Sequence, residues 1–161
     1  MTNILFRVEA GTGVGLGHLQ RCLALASALR RLGHECFFLT SGGRWAQDRI
    51  EHLGFSADST GDVEPGSEGE SRLVLDMANR YRCDAAVVDS YLIDHSYLSR
   101  LQAADLLVMV IEDRAPSAVP AQLVVNSGIG VTPPSDRSAG DGTQFLVGQE
   151  YALLREEFWD V

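Results

Sequence analysis

The chain of 161 residues contains no lysine, so all 13 of its basic residues are arginines, and they face 22 acidic residues. The resulting net charge of −9 disfavours non-specific binding to nucleic acids or to anionic membranes, because both require a basic surface. We therefore expect neither nucleic acid nor membrane among its partners. A few arginines and backbone amides could still bind an anionic small molecule.

Cysteines and long apolar runs are also scarce. The three cysteines, Cys22, Cys36 and Cys83, form no C-x-x-C pair, which argues against a disulfide framework or a structural zinc and favours buried free thiols. We expect no metal. No segment approaches the roughly 18–20 apolar residues that cross a bilayer, and the first residues lack the basic start of a signal peptide. These absences favour a cytoplasmic location.

Hydrophobic periodicity predicts strands and helices in alternation. Such an order is typical of an α/β protein with a Rossmann-like, doubly wound, mostly parallel sheet, here of about six strands in a single domain over residues 1–161. The acidic stretch 56–71 lacks any period and is interpreted as a solvated surface loop. Strands are predicted at 3–9, 35–41, 83–89, 105–113, 121–127 and 145–148, and helices at 19–30, 44–53, 72–82, 94–104 and 152–160.

A glycine-dense loop, G-T-G-V-G-L-G-H-L-Q-R from Gly11 to Arg21, follows the first strand. Its glycines allow close backbone approach to a ligand, and the helix that begins near His18 offers N–H groups to an anion. The spacing does not match the dinucleotide motif G-x-G-x-x-G, because Leu16 and His18 replace the third glycine. We therefore expect no dinucleotide cofactor. A tight strand-to-helix turn without a ligand is the alternative interpretation.

Polar side chains follow the predicted strands at the edge where parallel sheets bind ligands. His18 is expected to tend toward the neutral form, since the positive end of the helix dipole disfavours imidazolium, and a neutral imidazole can accept a proton. Asp89 could orient a base or a substrate hydroxyl, and Tyr91 could hydrogen-bond or stack. Simple capping or packing roles remain open for His18 and Asp89. The adjacent acids Glu112-Asp113 point in different directions and make a poor glycosidase pair.

Four sequence blocks occur in an order that resembles one enzyme family. They are F-R-V-E-A-G-T-G-V-G-L-G-H-L-Q-R-C, D-A-A-V-V-D-S-Y, E-D-R-A-P followed by L-V-V-N, and F-L-V-G-Q-E-Y-A-L-L-R-E-E-F. Together they resemble the UDP-2,4-diacetamido-2,4,6-trideoxy-β-L-altropyranose hydrolases of pseudaminic acid biosynthesis and the related spore-coat polysaccharide proteins. The resemblance implies a fold like the N-terminal half of a GT-B glycosyltransferase. It also implies metal-free cleavage of a UDP-sugar by water at the anomeric C–O bond.

The resemblance further assigns roles to individual residues. The family's catalytic histidine maps onto His18, and its tyrosine after the strand-end acid maps onto Tyr91. The chain would be the half that carries the catalytic base, and a C-terminal nucleotide-binding half would lie outside it. The residues expected to bind the substrate share the predicted ligand edge of the sheet and are Gly15, Gly17, Arg21, Asp89, Tyr91 and Asn126.

Two positions depart from the family pattern. Ser90 stands where the family often has histidine, and Glu9 replaces the acid of an R-x-D-like turn with a longer one. The residues also leave two other functions open. A glycosyltransferase would use the same fold and base but deliver the sugar to an acceptor hydroxyl, and a non-catalytic half would bind a nucleotide sugar only beside a partner domain.

The last predicted helix would be amphipathic. It places Phe158 and Trp159 where a second domain would cover them, so both should be more exposed than is usual for aromatic residues. We expect such a patch to favour self-association.

Overall fold

The computed structural model of the chain describes residues 1–11, 16–114, 119–132 and 142–159. Within these ranges seven strands form one sheet, and all six neighbouring pairs are parallel. The strands are β1 (Asn3–Val8), β2 (Glu35–Thr40), β3 (Ser56–Ser59), β4 (Ala85–Asp89), β5 (Leu107–Ile111), β6 (Leu123–Asn126) and β7 (Gln144–Val147). They lie in the order β3-β2-β1-β4-β5-β6-β7. The predicted parallel α/β fold is confirmed, with one strand more than expected.

Helices cover both faces of this sheet. They are α1 (Gly17–Arg31), α2 (Gly43–His52), α3 (Glu68–Tyr81) and α4 (His95–Gln102). The apolar sides of α1 and α2 pack on one face, and those of α3 and α4 pack on the other. None of the helices in the described part of the chain is long and apolar enough to cross a membrane.

The core on the α1 face follows from simple periodicities. Leu19, Cys22 and Ala26 recur along one side of α1 and are fully buried, as a 3.6-residue repeat requires. They pack against the inward-facing residues of β1 and β2, where the rings of Phe6 and Phe38 stack with centroids 4.9 Å apart. Burial of each large apolar side chain contributes about 1.5–3 kcal/mol, so this layer fixes α1 against the centre of the sheet.

The strand order creates one topological switch point. From β1 the chain builds outward through β2 and β3, then returns to the other side of β1 with β4. The carboxyl ends of β1 and β4 are therefore followed by loops that diverge in opposite directions. In open parallel sheets this crevice is where ligands bind.

The acidic stretch 56–71 is not a solvated loop throughout. Residues 56–59 form the edge strand β3, and the side chain of Ser67 caps α3 by accepting the N–H of Glu70. Glu70 is fully buried, with Oε1 2.6 Å from Nη2 of the equally buried Arg7. The composition of the stretch does not reveal that Glu70 is buried. A buried charge needs a partner of opposite charge, and the partner of Glu70 lies 63 residues away in the sequence.

The terminal segment also differs from its prediction. Two single 3-10 turns, Gln149–Tyr151 and Glu156–Phe158, replace the expected α-helix. Ala152 and Arg155, which lie between the two turns, have extended backbone, and Leu153 packs against the apolar core. Phe158 is 48% exposed, as expected, whereas Trp159 is half-buried. The Trp159 indole N–H donates to the carbonyl of Leu154 at 2.8 Å.

An apolar groove of about 380 Å³ lies beside this segment on the α1 face of the sheet. Leu25 and Leu29 of α1 form one wall, Met109 and Val125 of the sheet form the floor, and Leu153 forms part of the opposite wall. The described residues of the β5–β6 and β6–β7 connections contain no helix that could cover it. Leu107, which lines the groove, is 49% exposed, so this part of the sheet face is accessible.

The buried Arg7–Glu70 pair yields a stability prediction. Glu70→Ala leaves the Arg7 guanidinium buried without its carboxylate, so we expect a loss of about 3–5 kcal/mol in the free energy of unfolding. Denaturant unfolding of the chain measures this loss. Glu68→Ala is the matched control, because Glu68 lies on the same helix in an exposed pair with Arg72, and such pairs contribute little. Equal losses for the two variants would contradict the stabilising role of the buried pair.

The groove adds a second exposed apolar surface to the one predicted at Phe158 and Trp159, and we expect it also to favour self-association. Leu107 lines the groove and is 49% exposed, so Leu107→Ser should weaken concentration-dependent association in sedimentation experiments. Leu32→Ser tests whether any exposed leucine has the same effect, since Leu32 is more exposed but lies at the end of α1, outside the groove lining. A wild-type chain that stays monomeric at high concentration would contradict the prediction.

Candidate functional site

His18 and Asp89 meet at the switch point between β1 and β4. His18 is the second residue of α1, and Asp89 is the last residue of β4. The Nδ1 atom of His18 lies 2.8 Å from Oδ1 of Asp89, and both side chains are buried. The sequence predicted both residues separately, and the structure brings them together as a histidine–carboxylate pair.

The carboxylate of Asp89 receives further donors from α1. Arg21 binds it with two hydrogen bonds, from Nε to Oδ2 at 2.5 Å and from Nη2 to Oδ1 at 2.6 Å. The thiol of Cys22 donates at 3.5 Å. Burial works against the charged form of Asp89, but the hydrogen bonds from Arg21 and His18 outweigh it and lower the pKa. Asp89 is therefore an anion fixed in place.

This anion reverses the expectation for the charge of His18. The hydrogen bond with Asp89 raises the pKa of His18 above its ordinary value of 6.5, against the opposing effects of burial and of Arg21. The sequence-based prediction that the helix dipole keeps this imidazole neutral is wrong in direction, because a carboxylate at 2.8 Å acts more strongly than the partial charge of a helix end. With Nδ1 turned to Asp89, Nε2 is the ring nitrogen left to exchange a proton with a substrate.

Tyr91 and Asp113 extend the site toward solvent. The ring of Tyr91 packs edge-on against His18, with centroids 4.7 Å apart and planes at 87°. Its hydroxyl lies 2.6 Å from each carboxylate oxygen of Asp113, which also accepts Nη1 of Arg21 at 2.8 Å. The hydrogen bond to Asp113 raises the pKa of Tyr91. The guanidinium of Arg114 lies 4.7 Å from the Tyr91 ring centre.

The other predicted binding residues lie at the same edge of the sheet but are not all joined to this cluster. Gly17 is the exposed first residue of α1, and Gly15 lies outside the described residues. Asn126 is buried at the end of β6, where its amide donates to the carbonyl of Arg114 at 2.6 Å and accepts the N–H of Gly128 at 2.9 Å. These contacts organise loops, and binding roles for the three residues stay predictions.

Sequence reasoning missed two members of the cluster. The sequence predicts only a buried thiol at Cys22, although the spacing of Cys22 from His18 and Arg21 holds a usable signal. Residues i, i+3 and i+4 share one face of a helix, so all three side chains had to point toward the same neighbour. Asp113 was set aside because it adjoins Glu112, whereas in the fold it acts alone and meets Tyr91 and Arg21.

The cluster combines a proton-exchanging imidazole, an orienting carboxylate and a phenol at one sheet edge. Across the described ranges of the chain, no group of three or more histidine, cysteine, aspartate or glutamate side chains is arranged to hold a metal ion. What this arrangement can do chemically is accept a proton at His18 Nε2 while Asp89 stabilises the imidazolium that forms.

The His18–Asp89 pair predicts how stability depends on pH. The pKa of His18 is raised in the folded state, so the pair stabilises fully below about pH 6.5 and progressively less as pH rises through the folded pKa. The free energy of unfolding should therefore decline over this window in the wild type and decline less in His18→Asn. His52→Gln, at the far end of α2, is the control. Denaturant unfolding at several pH values measures the free energy of unfolding of each protein. The same pH dependence in the wild type and in His18→Asn would contradict the pairing.

No protein-family model matches the chain. Among curated proteins, an uncharacterised protein of Methanocaldococcus jannaschii is 24% identical over 157 residues, which are 95% of this chain and 31% of that protein. An uncharacterised glycosyltransferase of Methanosarcina acetivorans is 30% identical over 118 residues, which are 61% of this chain and 29% of that protein. The chain thus spans about a third of the length of the curated relatives it matches.

Solved structures share the fold, among them a glycosyltransferase of Rickettsia africae, which superposes with a TM-score of 0.60 at 14% identity over 78% of this chain and 36% of that protein. MurG of Acinetobacter baumannii superposes with a TM-score of 0.62 at 15% identity, over 84% of this chain and 44% of MurG. HepE of Anabaena, solved with UDP and glucose, superposes with a TM-score of 0.52 at 15% identity, over 78% of this chain and 38% of HepE. The seven-stranded parallel sheet with its helices is therefore a Rossmann-like domain of the kind found in GT-B glycosyltransferases.

Proposed function

We propose that this chain is the base-bearing half of an enzyme that cleaves the anomeric C–O bond of a nucleotide sugar and transfers the sugar to a hydroxyl acceptor. The observation that carries the proposal is the His18–Asp89 pair at the switch point of the sheet, 2.8 Å between Nδ1 and Oδ1. The sequence relative described as a glycosyltransferase and HepE, solved with UDP and glucose, support a nucleotide sugar as the donor.

The pair supplies general-base chemistry. As the acceptor oxygen attacks the anomeric carbon, Nε2 of His18 takes its proton. The new C–O bond forms, the bond to the leaving phosphate oxygen breaks, and its electron pair departs with the nucleoside diphosphate. Asp89 holds the ring in the reactive tautomer and stabilises the imidazolium. The raised pKa of His18 makes the imidazole a stronger base toward the acceptor proton.

The charges around His18 indicate that the diphosphate is held elsewhere. Arg21 is shared between Asp89 and Asp113, and Arg114 beside Tyr91 is itself paired with Glu112. Among these groups three carboxylates face two guanidinium groups, which leaves this part of the site negative until His18 is protonated. Because such a site does not attract a diphosphate, we place the main nucleotide contacts in a further domain, in keeping with the greater length of the relatives.

Hydrolysis is the second candidate, and the family resemblance of the G-H-L-Q-R block favours it. Water would take the place of the acceptor hydroxyl at the same base, and the products would be UDP and free sugar. A UDP-linked diacetamido-trideoxy sugar is the substrate which that resemblance implies. The products separate the candidates, since transfer yields UDP with a modified acceptor.

The proposal predicts a large effect of His18→Asn in the full-length protein. Loss of a general base should lower kcat/KM about 10²–10⁴-fold, measured as release of UDP from a UDP-sugar. The control His52→Gln should retain activity, because His52 is exposed at the far end of α2. Full turnover by His18→Asn would remove His18 from the mechanism, and binding of UDP-sugar without turnover in the wild type would favour the non-catalytic alternative.

The pH profile provides an independent check on Asp89. Since protonated His18 cannot act as a base, kcat/KM should rise with pH through the pKa of His18, above 6.5. Asp89→Asn removes the charge that raises this pKa, so the rise should move to lower pH while the maximal rate falls. An unmoved profile would show that the titrating group is not His18.

A further inference from the structure

Tyr91 lies on the short loop between β4 and α4, and its side-chain contacts depend on the conformation of that loop. The residue is 40% exposed, yet its ring touches His18 and its hydroxyl touches Asp113. The loop follows Asp89 directly and reaches α4 only at His95. Two groups outside the cluster of His18, Asp89, Arg21 and Asp113 contact this loop, one near Tyr91 and the other near Leu92.

The first anchor is Glu9, which directly follows β1. The carboxylate is buried, and Oε2 accepts both the hydroxyl of Ser90 and, at 3.2 Å, the backbone N–H of Tyr91. The N–H of Glu9 in turn donates to the carbonyl of Asp89 at 3.0 Å, which extends the β1–β4 pairing by one residue. A carboxylate that accepts two donors of one turn fixes the turn more firmly than a neutral acceptor does.

The second anchor is the loop before α3. Gly66 has a φ of +76°, and a Cβ on it would lie 2.2 Å from the carbonyl oxygen of Leu92, so the two backbones are in direct contact. The N–H of Gly66 donates to Oε2 of Glu70 at 2.8 Å. Glu70 is held by its buried pair with Arg7.

Both anchors start from β1. Arg7 and Glu9 are two residues apart, so the period of a strand places them on the same side of the sheet. Arg7 contacts the Tyr91 loop indirectly, through Glu70 and Gly66, whereas Glu9 binds the loop directly. In the R-V-E sequence, Arg7 and Glu9 therefore hold the Tyr91 loop in place. The proposed function assigns neither residue a role.

We propose that Glu9 is a positioning residue that fixes Tyr91 against His18 and Asp113, with the Arg7–Glu70 pair as the opposite brace. The proposal rests on the proposed function for its catalytic consequence, and on contacts alone for the anchoring.

Amide hydrogen exchange tests the anchoring without any substrate. In Glu9→Ala, the amides of Tyr91 and Leu92 should exchange about tenfold faster, as expected for loss of hydrogen bonds to a charged acceptor. Glu9→Gln keeps an accepting oxygen without the charge, so its exchange should fall between that of the wild type and that of Glu9→Ala. Glu51→Ala, on an exposed part of α2, is the control. Unchanged exchange at Tyr91 in Glu9→Ala would overturn the anchoring.

A double-mutant cycle in the full-length protein tests the catalytic consequence. Glu9→Ala should lower kcat/KM for UDP release about tenfold, Glu9→Gln should restore most of it, and the pH of the His18 titration should not move. If Glu9 acts through Tyr91, Glu9→Ala should cost little more once Tyr91→Phe is present. Losses that multiply, or a Glu9→Gln variant as poor as Glu9→Ala, would overturn the positioning role.

The two readouts separate the possible failures. A wild-type protein that cleaves no nucleotide sugar overturns the proposed function and with it the catalytic part of this proposal. The exchange data would still decide whether Glu9 anchors the loop. Normal exchange in Glu9→Ala with an active wild type would overturn the positioning role alone.

Discussion

The buried carboxylate of Asp89 is the group on which the rest of the site depends. It ends the central strand β4 and accepts hydrogen bonds from His18, Arg21 and Cys22, all on one face of α1. An unpaired carboxylate at this depth would be strongly destabilising. The donors of α1 therefore stabilise the Asp89 anion and also fix the start of the helix to the sheet. The contact with Asp89 in turn sets the tautomer of His18 and raises its proton affinity.

A second buried pair lies across the sheet from the first. Arg7 points to the face covered by α3, where Glu70 neutralises it, while Asp89 points to the face covered by α1. The adjacent strands β1 and β4 are thus held by ionic contacts on both faces at the edge where they end. Loops that leave this edge start from rigid backbone, which is the condition for holding reactive groups in a productive geometry.

The charges at the site are consistent with the division of roles proposed for the full-length protein. Each of the three guanidinium nitrogens of Arg21 donates to Asp89 or Asp113, so this part of the site favours a protonated imidazole and offers little attraction to a diphosphate. A half that handles the acceptor proton and another that holds the nucleotide would meet at the carboxyl edge of the sheet. The same division accounts for a chain that is acidic overall yet is proposed to act on an anionic donor.

The sequence by itself determined the parallel α/β architecture and most element positions, because long apolar periods identify buried strands and helix faces. It also placed His18, Asp89 and Tyr91 at the ligand edge. Only the tertiary structure decided which polar side chains are paired, since Arg7 meets Glu70 and Tyr91 meets Asp113 across long stretches of chain. Short segments behaved likewise: β3 formed inside an acidic stretch and the terminal helix did not form, because pairing and packing with distant residues outweigh the weak preferences of a few residues.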